Sequence, residues 1–445
     1  MGKPGQADSA YRARVSVLDP TLASPYRPAA REEPHIEAGH TSAPDHMLTE
    51  EKNLLAFTRA STHVRMILVG DAFSGARRAR SCANLNCLLS ARITRLTIRG
   101  EVRMTVEKWY RDLIRIDSSE ISALLFVRVA IAVGAPLLVF WLVDHRIAAV
   151  AGGATALFVS FCDIGQTRSE RVRTMAIATL AMLLGGFIGA KFGTETYADE
   201  AIIIVSAFVA GWVSKSQPGI SAVARFTALV TAGGVGMKVT DPVAAVALLC
   251  GGAGAIGVAY AMWLMDDVRP DENFMDWRAG VRRAIAGADA GLWFAFCYAG
   301  ACALSLLVAK QLGLDNPYWA TFTVIVLMRR EGVASLNLVI FCLSGTIAGV
   351  PTAALLAQLS NGYPLVQIAL AATAAALVRL GLALNAGLGY LAFTVFVVLI
   401  VEFARESSMA PGALVLTRLY DVGVGCVIVL VATVIAGLKN WRRQS

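Results

Sequence analysis

From residue 121 to residue 438 one long apolar segment follows another, each parted from the next by a short polar gap. No other feature narrows the possible folds so far. A bilayer accepts such segments if every backbone N–H and C=O is bonded inside the protein, and helices meet that condition on their own. The expectation is an all-α protein, a polytopic transmembrane helical bundle of about twelve spans. The first six runs are 121–143, 147–162, 174–192, 200–215, 220–237 and 242–265. The next six are 288–312, 317–328, 335–359, 364–380, 382–401 and 412–438. Several fall short of the ~20 residues an upright span needs, so flanking residues extend them or they are re-entrant or broken.

Composition agrees. Charged residues make up 16% and hydrophobic residues 56%, against ~25% charged in soluble domains. The charge is unevenly spread. Residues 1–103 are polar and read as a disordered extension, with no apolar period in 1–52 and weak amphipathic stretches, candidates for short helices, in 53–90. Residues 104–120 lead into the first span. The stretch ARITRLTIRGEVRMTVEKWYRDLIRID repeats Arg at helical spacing, with Trp109 among apolar residues. Such a helix either lies on anionic headgroups or is an ordinary solvated helix. Met104 is also a second candidate start, in which case residues 1–103 are upstream sequence. No cleavable signal peptide is visible, so the first apolar helix is expected to target the chain and remain in the membrane.

The remaining segments divide into a first half at 121–265, a linker at 266–289, a second half at 290–438 and a basic tail at 439–445. The halves look alike. Each opens with a long span, continues with a short second span and a charged gap, and then has a third span with paired glycines. These are Gly185 and Gly189 in LLGGFIGA, and Gly345 and Gly349 in LSGTIAGV. Small residues four apart let helices approach closely. Two similar six-helix halves would form a parallel repeat; chance resemblance between Gly-rich apolar spans is the competing reading.

The net charge of +8 does not point to nucleic acid. The basic residues sit in alternate gaps: the N-terminal flank, Arg168 to Arg173, Lys215, Arg269 to Arg283, Arg329 with Arg330, Arg379, and the tail. The other gaps carry only Arg146, Lys191, Lys238, Lys310 and Arg405. That bias places both termini in the cytoplasm. The five histidines lie in the N-terminal segment or one gap, and six of the eight cysteines lie in apolar runs. HExxH, P-loop and GxSxG motifs are absent from the sequence, so no enzyme, metal site or cofactor is expected.

Charges inside apolar runs carry the functional information, because each is costly unless it faces protein or water. They are Arg128, Arg225, Arg379, Glu402, Arg405, Arg418 and Asp421. One reading makes Arg418 and Asp421 a structural pair on one helix face, while Arg379 and Arg405 snorkel to headgroups. The other lets Arg128 and Arg418 hold an anionic substrate while Asp421 or Glu402 carries a coupling proton. Trp319, beside Tyr318 in LDNPYWATFTVIVLM, is either an interfacial anchor or a stacking face for an aromatic substrate.

The stretch NPYWATFTVIVLMRREGVASLNLVIFCLSGTIAGV resembles the core of the fusaric acid resistance protein-like (FUSC) family: a Tyr-Trp opening a short span, a basic turn and a Gly-Thr-rich span with GxxxG. TRLYDVGVGCVIVLVA resembles that family's closing segment, and AGGATALFVSFCDIGQTRSERVRTMAIATLAMLLGGFIGA its N-terminal repeat. The resemblance runs over about residues 105–440, and Trp319, Arg330, Gly345, Gly349, Arg418 and Gly425 fall on its motifs. It implies an inner-membrane transporter and efflux of aromatic acids, with a small organic anion as cargo and the lipid bilayer as solvent. It also implies a periplasmic adaptor as a candidate partner; a homo-oligomer is a further candidate that the resemblance does not supply. Many relatives carry a large cytoplasmic domain, for which this chain has only the linker and tail. The reading is a proton-coupled exporter; a passive organic-anion channel and a non-transporting envelope scaffold are its rivals.

Overall fold

The computed structural model describes residues 123–192, 198–237, 241–265, 277–286, 291–314, 316–330, 332–404 and 413–442. The extension at 1–103, the segment at 104–120, Arg405 and most of the linker lie outside the described residues.

Among the described residues there are thirteen α-helices and no strand. In chain order they are α1 Ala123–Leu142, α2 Arg146–Phe161, α3 Arg168–Phe192, α4 Ala198–Trp212, α5 Pro218–Met237, α6 Pro242–Trp263 and α7 Trp277–Ile285. Then follow α8 Leu292–Gln311, α9 Tyr318–Leu327, α10 Gly332–Leu359, α11 Pro364–Leu384, α12 Ala386–Ala404 and α13 Ala413–Arg442. Nine of these are long and apolar enough to cross a membrane. Their outer faces are apolar: Leu180, Leu184, Phe187, Val205, Phe296 and Ile347 all stand largely exposed. A water-soluble surface does not present rows of bare Leu and Phe on successive helices, and the protein is a multi-pass membrane protein.

Local chemistry sets the helix ends. Thr167 and Glu170 form a capping box at the start of α3: the Glu170 N–H donates to Thr167 Oγ1 at 3.2 Å, and Glu170 Oε2 accepts from the Thr167 N–H at 3.1 Å. This starts α3 at Arg168, six residues before its apolar run. Asp241 caps α6 by accepting from the Val243 N–H at 2.9 Å, with Pro242 at the first helical position. Gly313 ends α8 in the left-handed region, φ 66°, where its N–H donates to the Lys310 carbonyl and the Leu314 N–H to that of Ala309. The break between α11 and α12 falls at Asn385, in extended backbone, rather than at Gly381. The Asn385 side chain accepts from the Gly387 N–H at 2.8 Å and so opens α12. Residues 439–442, assigned to a tail from sequence, continue α13.

Helix neighbours follow a pattern. In the first half α1 packs on α2 and α6, α2 on α6, α3 on α5 and α6, and α4 on α5. In the second half α8 packs on α9 and α13, α9 on α13, α10 on α12 and α13, and α11 on α12. Between the halves α1 meets α11 and α8 meets α4, while α2 touches α12 and α9 touches α5. The glycines lie in these contacts. A Cβ at Gly185 would sit 2.5 Å from Thr231 Oγ1 on α5, and one at Gly345 2.6 Å from the Gly387 carbonyl on α12. A methyl on Gly189 would collide with the Thr231 carbonyl; on Gly349 it would come within 2.9 Å of the Leu391 carbonyl.

The two short apolar helices α2 and α9 are mostly buried. In α9, of 10 residues, Trp319, Ala320, Thr321, Thr323, Val324, Ile325 and Leu327 are buried. At 1.5 Å per residue it covers about half of a ~30 Å hydrocarbon layer. The chain then leaves helical conformation at Met328, in extended backbone. Irregular backbone at such depth is tolerated only when sheltered by protein or lining a cavity. Here Ser335 Oγ accepts from the Arg329 N–H at 2.8 Å and donates to the Arg329 carbonyl at 3.1 Å. The Tyr298 hydroxyl donates to the Ile325 carbonyl at 2.7 Å, satisfying an acceptor that the helix end leaves open.

The one described piece of the linker is α7. Trp277, Gly280 and Ala284 form its buried face, and the Trp277 Nε1–H donates to Thr174 Oγ1 on α3 at 3.0 Å. Arg278 and Arg282 face outward.

Candidate functional site

α13 brings Arg418 inward one turn into its span, against the first turn of α9. The guanidinium carbon lies 4.8 Å from the centroid of the Trp319 ring, and both residues are only 4% exposed. A guanidinium over an indole face is held by the ring quadrupole, most strongly when both are desolvated. That contact does not use its N–H groups. The Nε and Nη1 of Arg418 are buried and have no hydrogen-bond partner among the described residues. A buried donor without an acceptor is costly. A carboxylate is the ligand that best removes the cost, because two of its oxygens match two guanidinium N–H groups.

Beside Arg418 lies a cavity of ≈ 20 Å³, whose lining includes Phe322, Thr323, Thr346, Tyr390, Phe393 and Thr394. That space holds about one water molecule, so a larger ligand needs the surrounding helices to part. The walls mix aromatic faces with hydroxyls, as ligand pockets commonly do. Thr346 and Thr394 meet across α10 and α12 at 3.4 Å. Cys342 of α10 also lines this cavity.

Asp421 is fully buried, one turn beyond Arg418 on α13, and its charge acts on Arg418. No ion pair within 4 Å joins the two among the described residues. Glu402 is half-buried near the end of α12. The structure therefore brings Trp319, Arg418 and Asp421 into one neighbourhood.

Arg128 belongs elsewhere. On α1, its Nη1 donates to Asp163 Oδ2 at 2.6 Å, and its guanidinium lies 5.3 Å from the ring of Trp263 at the end of α6. It does not line the cavity beside Arg418. Arg171 Nη1 donates to the other Asp163 oxygen at 3.3 Å. Arg379, from α11, donates through Nη1 to the Ser160 carbonyl and lies 5.9 Å from the Phe161 ring. Asp163 itself stands in the loop between α2 and α3. Burial pushes its carboxyl up, but the charges of Arg128, Arg379 and Arg171 outweigh that and hold it below the ordinary carboxylate value. Sequence reading named Arg128 but not Asp163, because the two lie on separate segments with no shared period. The available signal was an acid within a gap otherwise rich in Arg.

Among the described residues no group of three or more His, Cys, Asp or Glu is placed to hold a metal ion.

Residues 301–432 match the family described as fusaric acid resistance protein-like. The match spans most of α8 through most of α13, and so takes in Trp319, Gly345, Gly349, Arg418 and Asp421. No curated protein and no solved structure matches the chain.

Proposed function

We propose that this chain, fusaric acid resistance protein-like over residues 301–432, is an inner-membrane exporter of small organic anions such as aromatic carboxylic acids, coupled to the proton gradient. One observation carries the reading: Arg418 is buried against Trp319 with two guanidinium nitrogens lacking a hydrogen-bond partner among the described residues. In this reading Arg418 takes the carboxylate, Trp319 offers its ring face and Asp421 or Glu402 carries the proton. Ionisable groups in a membrane interior commonly mark such pathways.

The two-half architecture, of six spans each, is supported by the neighbour pattern. The six largest first-half pairings each have a counterpart in the second half when α1 is matched to α8, α2 to α9 and so on to α13. The short α2 and α9 then occupy equivalent places, as broken helices do at repeat interfaces in transporters. In this arrangement both termini face the cytoplasm, as the Lys and Arg bias requires. A periplasmic adaptor and self-association complete the proposal.

Flux across proteoliposomes tests it. With an imposed pH gradient, benzoate or a similar aromatic acid is expected to move in proportion to the gradient, and Asp421→Asn to abolish the dependence. Gradient-independent movement that survives Asp421→Asn would make the protein a passive channel. No movement of any aromatic acid would sink both readings and leave a scaffold.

A further inference from the structure

We infer that Arg128, Arg171 and Arg379 form a second anion site, in which the Asp163 carboxylate is a tethered occupant that a small organic carboxylate displaces. The inference rests on the transport reading and extends it with a second station at another place in the fold.

Three guanidinium groups converge on one carboxylate. Arg128 binds Asp163 Oδ2 at 2.6 Å and Arg171 binds Oδ1 at 3.3 Å. The charge of Arg379 also acts on Asp163. The nearby acid Glu170 is committed elsewhere: its Oε2 accepts from the Gln166 and Thr167 N–H groups. Asp163 is 7% exposed and Arg128 6%. A buried guanidinium that is only partly bonded is costly, and an entering acceptor relieves that cost.

The second observation concerns Arg128 itself. Its Nε and Nη2 are buried and have no hydrogen-bond partner among the described residues, although Nη1 is well bonded. Asp163 thus uses only part of the guanidinium fork. The Trp263 ring, 5.3 Å from the guanidinium, supplies an aromatic wall. The same constellation, a buried arginine over an indole with two unbonded nitrogens, occurs at Arg418 and Trp319. The two sites thus suit one ligand class. The difference is that one already contains a carboxylate, carried in a loop rather than in a helix. A loop can withdraw an aspartate with little disturbance to the spans. The segment also lies in a gap that the Lys and Arg bias assigns to the cytoplasm, where an exported anion must first bind.

Chemical rescue tests the inference on purified full-length protein. Asp163→Ala is expected to lower the unfolding temperature. Benzoate should restore it, raising the midpoint by roughly 5 °C more than in wild type, while neutral benzyl alcohol should not. The extra shift should vanish in Asp163→Ala with Arg128→Met and persist in Asp163→Ala with Arg418→Gln. Persistence there separates this site from the one at Arg418. A benzoate shift no larger in Asp163→Ala than in wild type would overturn the inference. If Asp163→Ala does not fold, benzoate titration of wild-type tryptophan emission replaces it. A saturable change lost in Trp263→Phe supports the site; no saturable change, or one unaltered by Trp263→Phe, refutes it.

Discussion

Gly189→Val should unfold in detergent far more readily than the wild-type protein, by about 3 kcal/mol. The reason is what a side chain at 189 would meet. A Cβ there collides with the Thr231 carbonyl and lies 3.1 Å from the Val235 nitrogen. Both are backbone atoms of α5, so no rotamer change relieves the clash. The contact is reciprocal, since a Cβ on Gly234 of α5 would collide with the Gly186 carbonyl and sit 3.0 Å from the Ala190 nitrogen. Helices in lipid have no hydrophobic drive toward each other and depend on this close packing. Gly254→Ala provides the contrast. Nothing lies within 4 Å of its would-be Cβ, and the change should stay within about 0.5 kcal/mol. Denaturant titration of the three proteins checks both numbers. Equal stabilities would show that α3 and α5 do not pack backbone to backbone.

Asp163→Asn should cost about 3–5 kcal/mol at neutral pH, the usual penalty for removing one partner of a buried ion pair. Its removal leaves Arg128 and Arg171 without their carboxylate. The pH dependence has a definite sign. The folded protein holds Asp163 below its ordinary value of 3.8, so the unfolded chain binds this proton first as pH falls. The stabilisation is therefore fully present above the unfolded value. It declines as pH drops through the lower, folded value. Wild type and Asp163→Asn should differ by a constant amount from pH 7 to mildly acid conditions and converge only below the ordinary carboxylate range. A difference that already shrinks between pH 7 and pH 5 would show that the arginines do not hold Asp163 ionised.

How much of this was legible in the sequence follows from which interactions leave a local trace. The apolar runs mark nearly every long helix, because a lipid-facing helix must be apolar along its length. Their ends were less legible. α3 starts at Arg168 because of a Thr–x–x–Glu box, a signal present in the sequence but masked by the surrounding charges. The apolar runs 364–380 and 382–401 leave Gly381 between them; Asn385 takes the α11–α12 break because its side chain caps the next helix. Gly381 instead lets α11 approach α12, with a Cβ there 2.7 Å from the Gly389 nitrogen.

The ionic residues show the limit more sharply. Arg128, Arg418 and Asp421 stand out in any reading, since charge within an apolar run demands a reason. Their partners do not stand out. Nothing local ties Arg128 to Asp163, or Arg418 to Trp319, because these contacts join segments brought together only by helix packing. One of the two sequence readings set both arginines on the same anionic substrate. The fold gives each its own indole, and gives Arg128 a carboxylate as well.

The most direct measurement is benzoate flux through proteoliposomes containing Arg418→Gln, set beside the variant's thermal midpoint. Glutamine keeps a donor and most of the volume but removes the charge, so the variant should lose about 2 kcal/mol of stability with the cation–π contact to Trp319, a loss the midpoint reads separately from flux. If Arg418 holds the carboxylate, flux should fall at least ~10-fold, as expected for the loss of a charge-assisted hydrogen bond. Wild-type flux from a stably folded Arg418→Gln protein would mean that the anion passes by some other route.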